Sequence, residues 1–254
     1  MIESYGESHV GLRRRLNEDS LLLDNDLGLF VVADGMGGHN AGEIASRLAV
    51  ETVANFVLRS REEEEITWPY GVDPKLSWNA NRILTSVMLA NKRVWKEADR
   101  RQDYTGMGTT ITAALLDDEA FYVVSAGDSR AYRLRNGVFE QLTVDDSWVQ
   151  AAVDEGVLLA EEAQGHPMKN IITKAIGAKE NIDLAVQEHR VQDNDLFLLC
   201  SDGLHGMVSG ERLSEMVRNG NGTLPRLIER LIAAANDNGG RDNVTALAVR
   251  YRQS

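Results

Sequence analysis

The sequence is short of several things, and each shortage removes a class of answers. It has one cysteine, Cys200, so no internal disulfide can form, and its setting in "LFLLC" reads as a small buried hydrophobe. No apolar run approaches the roughly 18 residues that a membrane-spanning helix needs. The opening "MIESYGESHVG" lacks the basic and apolar regions of a secretory signal. Positive charge is scarce too: 27 Lys and Arg stand against 39 Asp and Glu, for a net charge of −12. Nucleic acid is therefore not expected as a partner, because gripping a phosphate backbone needs clustered Lys and Arg. The five histidines form no zinc spacing such as H-E-x-x-H. What is left is a soluble cytoplasmic chain without membrane contact. Its 43% hydrophobic residues, over 254 positions, can bury a substantial core.

Within what is present, strand patterns dominate. Ile2 to His9 alternates loosely, and Leu21 to Leu23 and Leu29 to Ala33 are short apolar runs parted by the turn-like "DNDLG". The stretches "GTTITAALLD", "EAFYVVSAGDS", "RAYRLRNGVFEQLT", "IDLAVQEHRV", "DLFLLCSDG" and "VTALAVRY" are β-branched, aromatic or alternating, and "RNGV" is a two-residue hairpin turn. Helical spacing appears over 42–58 and about 76–99, again over 209–217 and 224–236. The charged, proline-bearing "SREEEEITWPYGVDP" is an exposed loop between the first two helices. Strands do not alternate singly with helices, which argues against a doubly wound parallel sheet. An α+β fold is expected, with an antiparallel core and helices outside. No long linker appears, so one domain over 1–254 is expected, with an insertion or flap at about 143–177 where the pattern weakens.

Three strands end alike. "VVADG" delivers Asp34 and Gly35, "VVSAGDS" delivers Asp128, and "FLLCSDG" delivers Asp202. Alone, an Asp-Gly after a strand is simply a turn. Three copies with small residues beside them, joined by Asp242 in "NGGRDNVT" and by Glu18 and Asp19 in "NEDS", suggest convergence. Converging carboxylates raise one another's pKa, and a divalent cation removes the conflict. An oxygen-only set selects hard ions, Mg²⁺ or Mn²⁺, over zinc. Several acids with few other ligands suggest two ions sharing one carboxylate, a pair that activates water for displacement at phosphorus.

The ordered motifs "RRLNED", "VVADGMGGH", "GMGTT", "SAGDSRAY", "LLCSDGL" and "GGRDNVT" resemble those of metal-dependent PP2C-type (PPM) protein serine/threonine phosphatases, especially the compact bacterial ones. The resemblance runs from Gly11 to Val249. It implies a central β-sandwich flanked by helices and hydrolysis of phosphoserine and phosphothreonine by water activated at a binuclear Mn²⁺ or Mg²⁺ centre. It implies further that Asp34 bridges both ions, Gly35 offers its carbonyl, and Asp202 and Asp242 complete the first site. Asp128, sharing Asp202, resembles the ligand of a third, weaker ion. Glu18 and Asp19 resemble the acids that orient waters, and Arg14 the arginine that holds phosphate. The partners implied are phosphorylated proteins and an opposing serine/threonine kinase; a monomer is expected.

Two local departures stand out against that family. Met36 occupies the position where eukaryotic members often carry a histidine, so the general acid is either His39, three residues on, or a metal-bound water. Asp146 replaces the histidine of the usual "DHSWV" in the flap, near Trp148 and His166, which read as flap structure. A rival reading, "GMGGHNAGE" as a nucleotide-phosphate cradle, fails because Asn40 stands where the last glycine of G-x-G-x-x-G belongs. An extended backbone through Arg13, Arg14 and Arg15 would alternate their side chains and place Arg14 on the face of Glu18.

Overall fold

The structure, a computed structural model, describes residues 1–38, 41–63, 66–163, 165–220 and 222–253. Two antiparallel sheets lie face to face. The first runs in the order β1 (Ile2–His9), β11 (Val244–Tyr251), β10 (Leu196–Cys200), β7 (Arg130–Arg135) and β8 (Val138–Gln141). The second runs β2 (Asp19–Asp24), β3 (Leu29–Met36), β5 (Ile111–Leu116), β6 (Ala120–Ala126) and β9 (Val186–Arg190), with the short β4 (Gly108–Thr109) also on β3. Asn136 and Gly137, both at positive φ, turn β7 into β8, as the "NG" pair requires.

Side-chain alternation assigns each strand two jobs. Along β3, Leu29, Val31 and Ala33 face outward onto α1 (Ala41–Glu62) and α2 (Trp78–Arg100), while Phe30 and Val32 face the opposite sheet. A strand buried on both faces reads as an unbroken apolar run, which is what the sequence has there. The helix α1 presents Ala41, Ala45, Ala49, Val53 and Val57, a stripe of mostly small residues at i,i+4 spacing that settles close on the sheet. On the other side α5 (Asp202–His205), α6 (Gly210–Arg218) and α7 (Leu224–Asp237) cover β10 and β11, with Leu224, Leu227, Ile228, Leu231 and Ala235 buried. Ser77 and Ser209 cap α2 and α6 by accepting from the backbone N–H three residues on.

Between the sheets Phe30, Val32, Phe121, Val123, Phe197, Leu199, Leu247 and Val249 form the inner layer. Phe121 and Phe197 stack across the gap with ring centroids 4.0 Å apart. Fully burying each such side chain contributes about 2–3 kcal/mol. The result is the expected helix–sheet–sheet–helix stack.

Three expectations need adjusting. The run 108–117 is two strands, because opposite Thr110 the Asp34 N–H donates to the side-chain Oγ1 and not to the Thr110 carbonyl, which drops one bond of the ladder. The strand expected over 182–191 pairs only from Val186 to Arg190. The flap contains two short helices, α3 (Trp148–Asp154) and α4 (Ala160–Ala163), and Trp148 stacks on His166 at 5.1 Å. No helix among the described residues is long and apolar enough to cross a membrane.

Candidate metal centre and active site

At one end of the sandwich the inward rows change from apolar to polar. Phe30 and Val32 are followed by Asp34, and Leu21 is preceded by Asp19. The rows through Leu199 and Leu247 continue as Ser201 and Thr245. Asp19 stands directly opposite Asp34 in the β2–β3 register, a like-charge pair that costs stability on its own.

Each acid is then fixed from its backbone outward. Asp34 N–H donates to Thr110 Oγ1 (3.0 Å), and its carbonyl accepts from Thr110 N–H (2.8 Å) and Thr109 Oγ1 (2.9 Å). Asp19, 8% exposed, receives Ser201 Oγ (2.8 Å) and Thr245 Oγ1 (2.6 Å) on Oδ2, while its Oδ1 has no partner. Asp202 is the first residue of α5 and its Oδ1 is likewise buried without a partner. Asp128 lies buried in the turn between β6 and β7, and its carbonyl contacts His205 Nε2 at 2.9 Å. Asp242 precedes β11, where Asn243 N–H donates to its Oδ1 (2.9 Å).

The charges converge. Burial pushes the Asp34 carboxyl well above the usual carboxylate range, and the charges of Asp19, Asp202, Asp128 and Asp242 push it further. Asp19 is raised to about 7 by burial, against the pull of its Thr245 and Ser201 hydrogen bonds. Asp128 is raised to about 7 by burial and then by Asp202 and Asp145. Asp202 is raised by burial and Asp242, with a hydrogen bond from Asp34 acting the other way. His205 is held neutral, pushed down to about 3 by burial and then by Arg130.

Arg14 and Glu18 reach the same place by a different route from the expected one. Residues 11–16 are turn and bend, not extended strand, because Leu12 and Arg13 both donate to the Gly240 carbonyl (2.7 and 3.2 Å) and no strand pairs them. Arg14 nonetheless reaches Asp242 Oδ2 at 2.8 Å, so the shared site comes from a turn and not from alternation. Glu18 N–H donates to Asn243 Oδ1 (2.8 Å), and its carbonyl accepts from Gly35 N–H (3.1 Å) and Ser46 Oγ (2.7 Å). Its carboxyl is raised by burial, with Arg14 opposing. A Cβ on Gly35 would run into the Gly42 and Glu18 carbonyls, and one on Gly203 into the Asn243 carbonyl. Both positions therefore need glycine to let the segments carrying the acids close up. His39, one candidate for the general acid, lies outside the described residues.

Sequence reasoning missed the supporting shell: Ser201 and Thr245 on Asp19, Thr110 on Asp34, Asn243 on Glu18, His205 on Asp128. The signal was there in part, since Ser201 and Thr245 are polar residues at inward positions of apolar rows.

Among the described residues no three acidic, histidine or cysteine side chains already form a ready-made ligand set. The donor chemistry nevertheless fits hard divalent cations. The side-chain donors are carboxylates, burial and then neighbouring negative charge raise Asp19, Asp34 and Asp202, and buried oxygens of Asp19 and Asp202 are orphaned.

The model of the protein phosphatase 2C family matches residues 5–247. Serine/threonine phosphatase stp of Listeria innocua is 35% identical over 226 residues, 87% of this chain and 83% of its own. The crystal structure of the Mycobacterium tuberculosis serine/threonine phosphatase PstP/Ppp superposes with a TM-score of 0.86 at 33% identity, covering 99% of both chains. The catalytic domain of PstP in complex with two manganese ions gives 0.84, also at 33% identity and 99% of both chains. A sandwich of this topology, with acids gathered where its inner rows turn polar, thus joins a matching family model and close structural relatives: the chain belongs to the protein phosphatase 2C family.

Proposed function

We propose that the chain is a protein serine/threonine phosphatase that works with Mn²⁺ or Mg²⁺ and acts on phosphoserine and phosphothreonine in protein substrates, as a single domain and a monomer. The observation that carries this reading is the carboxylate cluster around Asp34, with its orphaned Asp19 and Asp202 oxygens and Arg14 at its edge. Asp34, Asp202 and Asp242, with the Gly35 carbonyl, would hold two cations, and Asp128 with Asp202 a third. When bound, the cations supply positive charge for the phosphoryl oxygens and lower the pKa of water. Glu18 and Asp19 accept hydrogen bonds from water entering the cluster and so orient it toward phosphorus. Arg14, half-exposed and charged at any working pH, offers a planar pair of donors to two phosphate oxygens. Its contact with Asp242 preorganises it at the rim. We place the activity in the cytoplasm, opposing a serine/threonine kinase.

The test is phosphate release from matched phosphoserine, phosphothreonine and phosphotyrosine peptides, with Mn²⁺ or with chelator. Release from the first two, several-fold faster than from phosphotyrosine and lost with chelator, is expected. Release that is indifferent to chelator contradicts the proposal.

A further inference from the structure

The flap meets the sandwich at Asp146. Its N–H donates to the Gly127 carbonyl (2.8 Å), and its own carbonyl accepts from the Thr173 N–H (2.8 Å). The carboxylate repeats the same bridge: Oδ2 accepts from the Gly127 N–H (3.2 Å), and Oδ1 pairs with Lys174 Nζ (3.0 Å). One residue thus ties the position before Asp128 to the returning limb of the flap. Beyond it the limbs are stitched together by the Ser147–Ile172 bridge and by Trp148 N–H on the Ile171 carbonyl (2.8 Å).

Other holds on this turn come from the sandwich and α5. His205 meets the Asp128 carbonyl, Thr110 Oγ1 meets Ser129 Oγ (2.7 Å), and Thr112 Oγ1 donates to the Ser129 carbonyl (2.8 Å). Thr110 also anchors Asp34, so the turn is continuous with the cluster's centre. Asp146 differs from these in holding the flap as well. The pair is partly sheltered, Asp146 at 21% exposure and Lys174 at 38%, so solvent screens it less than a free surface pair.

We propose that Asp146 and Lys174 are a positioning pair: the ion pair locks the flap against the Gly127–Asp128 turn and so sets where the Asp128 carboxylate sits. The proposal rests on the reading of Asp128 as a cation ligand. Residue chemistry supports the assignment. A carboxylate can accept from a backbone N–H and an ammonium together. Asparagine must turn its NH₂ toward one of them, and histidine, which the family resemblance leads one to expect here, has one acceptor nitrogen at most. Asp146 is thus suited to a clamp in a way the usual residue is not.

The test is calorimetric titration of the metal-stripped chain with Mn²⁺, comparing the parent with Lys174→Met, Asp146→Asn and Asp128→Asn. Hydrogen exchange at the Gly127 amide is followed without metal. Lys174→Met keeps the apolar stem at the exposed end of the pair and so guards against a folding failure. Both clamp variants should weaken by about tenfold the binding step that Asp128→Asn abolishes, leaving the other steps unchanged. Asp146→Asn should also speed exchange at Gly127. A lower melting temperature with every Mn²⁺ affinity unmoved would mean a purely structural pair and would overturn the proposal. If Asp128→Asn abolishes no step, the ligand reading of Asp128 fails and the clamp has nothing to position, a result distinct from the first.

Discussion

Stripping divalent cations and raising the pH should together destabilise this protein, by an amount the carboxylate cluster sets. The Asp19 carboxyl stands at about 7 in the folded chain, against 3.8 unperturbed. A folded pKa above the unfolded one means the folded chain binds more protons between the two values. Stability therefore falls as pH rises through that window, and the loss is complete above about 7. At about 1.4 kcal/mol per pKa unit, one such group costs about 4 kcal/mol in full. Roughly 3 kcal/mol of that falls between pH 5 and 8. In a protein of this size each kcal/mol moves the melting temperature by about 2–4 °C, so a drop of about 6–12 °C is expected. Asp128, also raised to about 7, acts in the same direction. Mn²⁺ bound among these acids would have to displace their protons, so the stabilisation it confers should grow from pH 5 to 8. Scanning fluorimetry at constant ionic strength, with chelator or with saturating Mn²⁺, measures both curves, and Asp19→Asn should flatten the metal-free one. A metal-free melting temperature that rises over this range, or a Mn²⁺ gain that shrinks with pH, would refute the convergence of these acids.

Three further outcomes follow from named contacts. Arg14→Ala should raise KM for p-nitrophenyl phosphate by about ten- to a hundredfold, the worth of a charged hydrogen-bonded grip, with Arg14→Lys recovering part and Arg13→Ala and Arg15→Ala changing little; steady-state kinetics on the four variants decides. Cys200, fully buried and pushed up to about 12 by burial, has no thiolate to offer, so Cys200→Ser should keep kcat while lowering stability by about 1–3 kcal/mol. Loss of activity with the fold retained would point to a cysteine nucleophile instead. Gly203→Ala must push the Asn243 carbonyl away and with it Asp242, so its Mn²⁺ affinity should fall by more than its melting temperature predicts, as calorimetry beside a thermal scan would reveal.

Much of this was legible in the sequence, for physical reasons that differ by element. The run Leu29–Ala33 announced a strand buried on both faces because alternation vanishes when both sides are apolar. "NG" fixed the β7–β8 turn because both central residues need positive φ. The acids were visible because Asp34, Asp128 and Asp202 each follow an apolar run and small residues, although β3 continues through Asp34 to Met36 while Asp128 and Asp202 lie just past their strands. What the sequence hid was long-range pairing. That Asp19 faces Asp34 depends on the β2–β3 register, and that Ser201 and Thr245 reach Asp19 depends on two sheets meeting. The three arginines misled because a local alternation rule was applied where Gly240, more than two hundred residues away in sequence, bends the chain. The role of Asp146 was equally unreadable, since its partners Gly127 and Lys174 lie on opposite sides of it along the chain.

The most direct measurement is anomalous diffraction at the manganese edge from crystals of the chain soaked in Mn²⁺, beside crystals of Asp34→Asn. Two strong peaks are predicted flanking Asp34, within reach of Asp202, Asp242 and the Gly35 carbonyl, with Asp34→Asn losing at least one. Crystals with saturating Mn²⁺ and no peak among these acids, or peaks confined to other surface carboxylates, would contradict the assignment of this cluster as the metal centre.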